Sequence, residues 1–162
     1  MPLMALDRPP TIGAPSFGEA GRLLVIAVEP RMAERTLRAA APRIAAAQRC
    51  PALLAACRRP WWWALGSAGT AAVPLLSDRD VVLVGRATLA QTVGAMPQLD
   101  GLELLCTSGP LDRALDQLLS GGCFSAVLVG GSRRRRAADR LCRRAEHHGV
   151  AAQRLVFAAA GE

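Results

Sequence analysis

The densest chemistry in this chain lies between Phe124 and His148, FSAVLVGGSRRRRAADRLCRRAEHH. Gly130-Gly131-Ser132 follows a short apolar run and precedes an arginine-rich helical pattern. Two glycines and a serine supply a tight turn and a helix N-cap. Backbone N–H groups at such a helix start, outside the carboxyl end of a strand, face an anion. Four arginines, Arg133 to Arg136, oppose the dipole of the helix they open, which prefers acids there. That arrangement costs local stability unless an anion or an acidic partner compensates. The candidate anion-binding set is therefore Gly130, Gly131, Ser132, Arg133 and Arg134. Gly-Gly also suits an ordinary turn, and arginine is an ordinary surface residue in this composition.

Most familiar catalytic groupings are missing. Ser67, Ser108, Ser125 and Ser132 are available, but none sits in a Gly-x-Ser-x-Gly elbow. His147 and His148 are adjacent and so point in different directions on a helix, with no cysteine or carboxylate at ligand spacing. No metal site is expected. Asp112 and Asp116 share a helix face and are expected to form salt bridges with arginines. The five cysteines contain no Cys-x-x-Cys pair, and Cys106, Cys123 and Cys142 lie in or beside apolar runs. Free cysteine there behaves as a small buried hydrophobe, which suits a reducing, cytoplasmic setting. An enzyme is not expected, and no cofactor is assigned.

Two further stretches are candidate partner contacts. In the arginine helix, Ala138, Leu141, Cys142 and Ala145 form an inner stripe, leaving Arg136, Arg140, Arg143 and Arg144 on the remaining surface. Phosphate contacts to nucleic acid need little more than this, although a solvated surface explains the same pattern. Trp61, Trp62 and Trp63 cannot all face one way in either a strand or a helix. At least one ring should be partly exposed, where it could anchor a protein partner.

All twenty basic residues are arginine, and the net charge is +7 with a pI near 10.8. Such a surface attracts polyanions at any relevant pH. A GC-rich bacterial genome accounts for the joint excess of arginine, alanine, glycine and proline. The N-terminal MPLMALDRPP lacks the basic-then-apolar order of a secretory signal.

The elements that must position these residues begin after a flexible lead-in, residues 1–21. Residues 22–162 read as a single α/β domain, with 58–79 an uncertain connector. Leu23 to Val28 is a strand, and Pro30 suits a first helical position. The following helix carries Ala33, Leu37, Ala40, Ile44 and Ala47 on one face, and Pro42 should kink or split it. Pro51 to Cys57 is a weaker candidate strand. Pro60 to Ser77 carries no charge, but Gly66, Gly69 and Pro74 interrupt it, so no membrane span is expected. Val81 to Gly85 reads as a strand, Ala87 to Met96 as a short helix and Leu102 to Cys106 as a strand. Leu111, Ala114, Leu115, Leu118 and Leu119 make a helical stripe stopped by Gly121-Gly122. Ala126 to Val129 is a buried strand, the arginine helix follows, and Gln153 to Phe157 closes the series. Strands alternating with helices imply a three-layer sandwich, with a mostly parallel sheet of five or six strands.

The run VVLVGRATLAQTVGAMPQLDGLELLCTSGPLDRALDQLLSGGCFSAVLVGG resembles the first βα steps of a response-regulator receiver domain. Receivers carry an acidic pair after the first strand and a phosphoacceptor aspartate after the third; this chain has Gly85-Arg86 and Gly130 there. About Ala158 corresponds to their hydroxyl residue, and their lysine has no counterpart. The resemblance thus implies a degenerate pseudo-receiver without Mg²⁺-dependent phosphorylation. Separately, RLLVIAVEPRMAERTLRAAAPRIAAA resembles the opening strand and helix of universal stress proteins, and AVLVGGSRRRR resembles their later glycine-serine turn. ATP-binding members have an aspartate after the first strand, which Glu29 matches approximately; their second glycine pair does not follow Arg136.

A flavodoxin/Rossmann-like α/β fold is expected on either likeness. The leading functional reading is a non-catalytic regulatory or adaptor module acting through protein–protein contacts. The alternative is a small anion- or nucleotide-binding protein, similar to universal stress proteins, using the Gly130–Ser132 turn. A protein partner, a phosphate-bearing ligand or nucleic acid are the expected kinds of partner.

Overall fold

The computed structural model describes residues 21–46, 51–57, 77–96, 99, 101–131 and 135–157. Five strands pair in parallel throughout: β1 (Arg22–Ala27), β2 (Ala52–Ala56), β3 (Glu103–Thr107), β4 (Phe124–Gly130) and β5 (Ala151–Leu155). Helices α1 (Ala33–Ala46), α2 (Asp78–Gly94), α3 (Leu111–Ser120) and α4 (Arg135–His147) connect them, with a 3-10 turn at Pro30–Met32 leading into α1. The sheet order is β3-β2-β1-β4-β5.

The strands alternate their side chains between two buried layers, as a parallel sheet covered on both faces requires. On one side Leu24, Ile26, Leu54, Val127 and Val129 pack against Leu115 of α3 and Leu141 of α4. On the other, Val25, Ala27, Leu53 and Ala55 pack against Leu37 of α1 and Val82 of α2. The sandwich is α3/α4, sheet, α1/α2. Its α/β class and parallel five-stranded sheet agree with the sequence reading. β2, expected as a weak strand, is buried along its whole length between β1 and β3.

Val81 to Gly85 is not a strand. It is the second turn of α2, which continues without a break through the short helix expected after it. A capping box fixes the start: Asp80 N–H donates to Ser77 Oγ at 3.3 Å, and Ser77 N–H donates to Asp80 Oδ2 at 2.9 Å. With the helix begun at Asp78, the β-branched run follows helical spacing. Val81 and Val82 face inward, and Leu83 and Val84 are left exposed. The receiver likeness fails with it, since it takes that run as its first strand. Receivers order their sheet 2-1-3-4-5, whereas this chain puts β1 at the centre of 3-2-1-4-5.

A smaller expectation also changes. Pro42 does not split α1, which runs continuously from Ala33 to Ala46. The proline is exposed, so the carbonyl it leaves without an N–H partner can be hydrated. The arginine helix is described from Arg135 to His147, and Arg133 and Arg134 lie outside the described residues.

Candidate anion-binding site

In open parallel sheets, ligands bind outside the carboxyl ends of the strands where the order of connection reverses. That reversal falls between β1 and β4. From β1 the chain turns to α1 on one face, and from β4 it turns to α4 on the other. Ala27 lies opposite Gly130, and Val28 N–H donates to the Gly130 carbonyl at 3.0 Å. The two strand ends therefore stay joined up to the point where their connections diverge.

Gly130 and Gly131, singled out in the sequence, stand at this point, and both are buried. Unlike Gly101, Gly122 and Gly149, neither has a positive φ. Their glycine character serves close approach and not turn conformation. A Cβ on Gly130 would overlap the Oγ1 and methyl of Thr36 on α1. A Cβ on Gly131 would sit 3.3 Å from Val28 and 3.8 Å from Ala138 of α4. One glycine thus seats α1 against the strand ends, and the next gives α4 room beside Val28.

Two polar groups line the same region. Glu29, at the end of β1, is nearly buried, and its Oε2 accepts from Arg31 Nη2 at 2.9 Å and Nε at 3.0 Å. Thr36 is fully buried, and its Oγ1 has no hydrogen-bond partner among the described residues. An unpaired hydroxyl of this kind costs about 1–3 kcal/mol. Glu29 entered the sequence reading as an approximate match to an aspartate. Thr36 was missed. The signal for it was a hydroxyl residue beside Leu37 on the inward face of an alanine-rich helix.

The remaining candidates divide. Ser132, Arg133 and Arg134 lie outside the described residues, as do Trp61, Trp62 and Trp63. Of the proposed partner contacts on α4, Arg140 and Arg144 already serve the fold. Arg140 Nε lies 3.1 Å from Asp112, and Arg144 grips Asp116 through Nε at 2.7 Å and Nη2 at 2.6 Å. The salt bridges expected of Asp112 and Asp116 are present. His148 Nε2 adds a 3.0 Å contact to Asp116, whose carboxyl is held below the usual range by Arg144 and then His148. Arg136 and Arg143 are exposed. Among the described residues, no three His, Cys, Asp or Glu side chains gather as a metal site, and no helix is long and apolar enough to cross a membrane.

No family model matches the sequence, and no curated protein matches it either. Solved structures do resemble its fold. One is a universal stress protein in complex with cAMP, 13% identical, with a TM-score of 0.53 over 86% of this chain and 99% of that one. Another is a protein from the universal stress protein family of Burkholderia pseudomallei, 14% identical, with a TM-score of 0.51 over 87% of this chain and 99% of that one. The chain therefore has a fold like that of universal stress proteins, and of the two resemblances drawn from its sequence this is the one the comparisons support.

Proposed function

We propose that this protein is a non-catalytic module that binds a small phosphate-bearing ligand, a mononucleotide, at the reversal point between β1 and β4. The observation that carries this reading is the placement of Gly130-Gly131 there. Buried glycines bring α1 and α4 against the strand ends, so the chain entering α4 starts from a fixed point beside Glu29. Arg135 and Arg136 in the first turn of α4 supply charge that an anion, and not the helix dipole, would reward. A similarly folded universal stress protein is a cAMP complex, which supports a nucleotide over a bare inorganic anion. These points favour the ligand-binding reading over an adaptor acting through protein contacts alone.

Two charge-matched double variants test it by isothermal titration with AMP, cAMP and ATP. Arg133→Gln with Arg134→Gln alters the connection into α4, and Arg136→Gln with Arg143→Gln alters the exposed face of the helix. The expected result is saturable one-to-one binding that weakens at least about tenfold in the first variant, the scale of one lost charge-assisted contact, and is unchanged in the second. Equal losses in both variants, with a steep fall in salt, would indicate a general polyanion surface instead. Absence of binding to the wild-type chain at low salt would overturn the proposal.

A further inference from the structure

β4 has β1 on one side and β5 on the other. Leu155, the last residue of β5, lies opposite Gly130. The two residues that follow it, Val156 and Phe157, therefore stand at the same end of the sheet as Gly131. Their side chains keep the alternation of an extended strand. Leu155 enters the layer beneath α1 and α2, Val156 is 81% exposed, and Phe157 turns back to α1, where the Arg35 guanidinium lies over its ring at 5.6 Å. The next residue of α1, Thr36, is the one that meets Gly130. Phe157 is carried about 7 Å past Leu155, at about 3.3 Å per residue, on the α1 side of the strand ends.

The two flanks of the Gly130-Gly131 turn differ in what they leave for a ligand. On the β1 side the polar group is engaged, since Glu29 Oε2 is gripped by both Nε and Nη2 of Arg31. On the β5 side Phe157 is half-buried, joins neither core layer and has a cation against its ring. Of the two phenylalanines among the described residues, Phe124 lies at the amino end of β4. Phe157 is the one at the ligand's end of the sheet. A half-buried ring forgoes part of the free energy that an aromatic side chain brings to a core. Beside an anion site, its π-face matches the part of a nucleotide that is not phosphate.

We propose that Phe157, backed by Arg35, is the platform on which the base of the bound nucleotide stacks, and that Val156 is apolar surface the ligand covers. The inference rests on the mononucleotide reading of the reversal point and adds the base as the part recognised. The phosphate lies at the start of α4, on one face of the sheet, and the base crosses the strand ends towards α1 on the other. Arg35 holds the ring by cation–π attraction, which spares the ligand the cost of ordering it. Every base has a π-face, so the platform selects nucleotides over sugar phosphates without choosing among bases.

Isothermal titration of the full chain with AMP and with ribose 5-phosphate, which lacks the base, tests this in wild type, Phe157→Leu, Phe157→Ala and Arg35→Gln. AMP should bind wild type at least about fivefold more tightly than ribose 5-phosphate, the lower end of what one base stacked on an aromatic side chain contributes. Phe157→Leu, which keeps apolar bulk, and Phe157→Ala should each remove that advantage and leave ribose 5-phosphate unchanged. Arg35→Gln should weaken AMP by a smaller factor, about two- to fivefold. In proton NMR the base protons of AMP should shift upfield in the wild-type complex and not in Phe157→Leu. Equal losses of both ligands in Phe157→Leu would mark a structural role and overturn the proposal. So would AMP binding that is undiminished in Phe157→Ala, or a wild-type AMP complex without the upfield shift; either leaves the phosphate site standing. Failure of both ligands to bind wild type would remove the mononucleotide reading, and the base platform with it.

Discussion

The two faces of the sheet are held by different means. On the α3/α4 face, strongly amphipathic helices lie side by side and are tied by ion pairs: Arg140 to Asp112, Arg144 to Asp116, and Arg154 of β5 to Asp139. On the α1/α2 face, contact is made through small residues. Thr36 of α1 meets Gly130, Gly85 of α2 meets Cys57, and Leu83 and Val84 remain exposed. The first face takes up part of the excess arginine charge in the fold itself. The second leaves an unsatisfied hydroxyl, two buried free thiols and exposed apolar side chains. A high net charge is therefore a poor guide to where this molecule acts, because the arginines nearest to acids are already engaged. The uncommitted chemistry lies where helices touch the strand ends through glycine.

That contrast can be broken most severely at Gly130. Gly130→Ala places a methyl group on Thr36, and overpacking of this kind costs about 1–3 kcal/mol in urea denaturation. Thr36→Ala removes the Oγ1, the methyl group and with them the unpaired hydroxyl, leaving only the Thr36 Cβ at 2.9 Å. The double variant should therefore recover part of the loss, a coupling of about 0.5–3 kcal/mol. Additive costs would mean that the two residues are not in contact.

A smaller effect is expected at the start of α2. Ser77→Ala removes the capping box at a cost of about 1 kcal/mol, and amide exchange should rise in α2 while α3 is unchanged. Uniform loosening of both helices would contradict the unequal support of the two faces.

The smallest effect belongs to the ion pairs. Asp116 has a native pKa below its unfolded value, so its contribution is complete above about pH 3.9 and is lost as pH falls through the lower native value. Asp116→Asn should destabilise by less than about 1 kcal/mol at neutral pH, because solvent screens a partly exposed pair. The difference from wild type should shrink in high salt and disappear in acid, once pH falls below the lowered native pKa. A gap that persisted in acid would assign the effect to packing and not to charge.

The legibility of the fold followed the same division. α3 and α4 were evident because their apolar residues recur at helical spacing, and the acid–arginine pairing between them follows from opposed charge. α2 was misread because Val81-Val-Leu-Val is β-branched and apolar, while the information that decides its state lies outside the run, in Ser77 and Asp80. The candidate site was half legible. Gly130 and Gly131 were marked as a turn, but their role beneath Thr36 and beside Val28 depends on residues about ninety to one hundred positions earlier in the chain.

By itself, the sequence determined the class of the fold and most of its elements, since hydrophobic period, glycine stops and buried β-branched runs act over a few neighbouring residues. Only the tertiary structure decided the order β3-β2-β1-β4-β5. Strand order arises from pairing between distant segments that look alike as short apolar runs, so no local pattern encodes it. The place where β1 and β4 diverge, the contact of Thr36 with Gly130 and the seating of Gly85 on Cys57 all follow from that order.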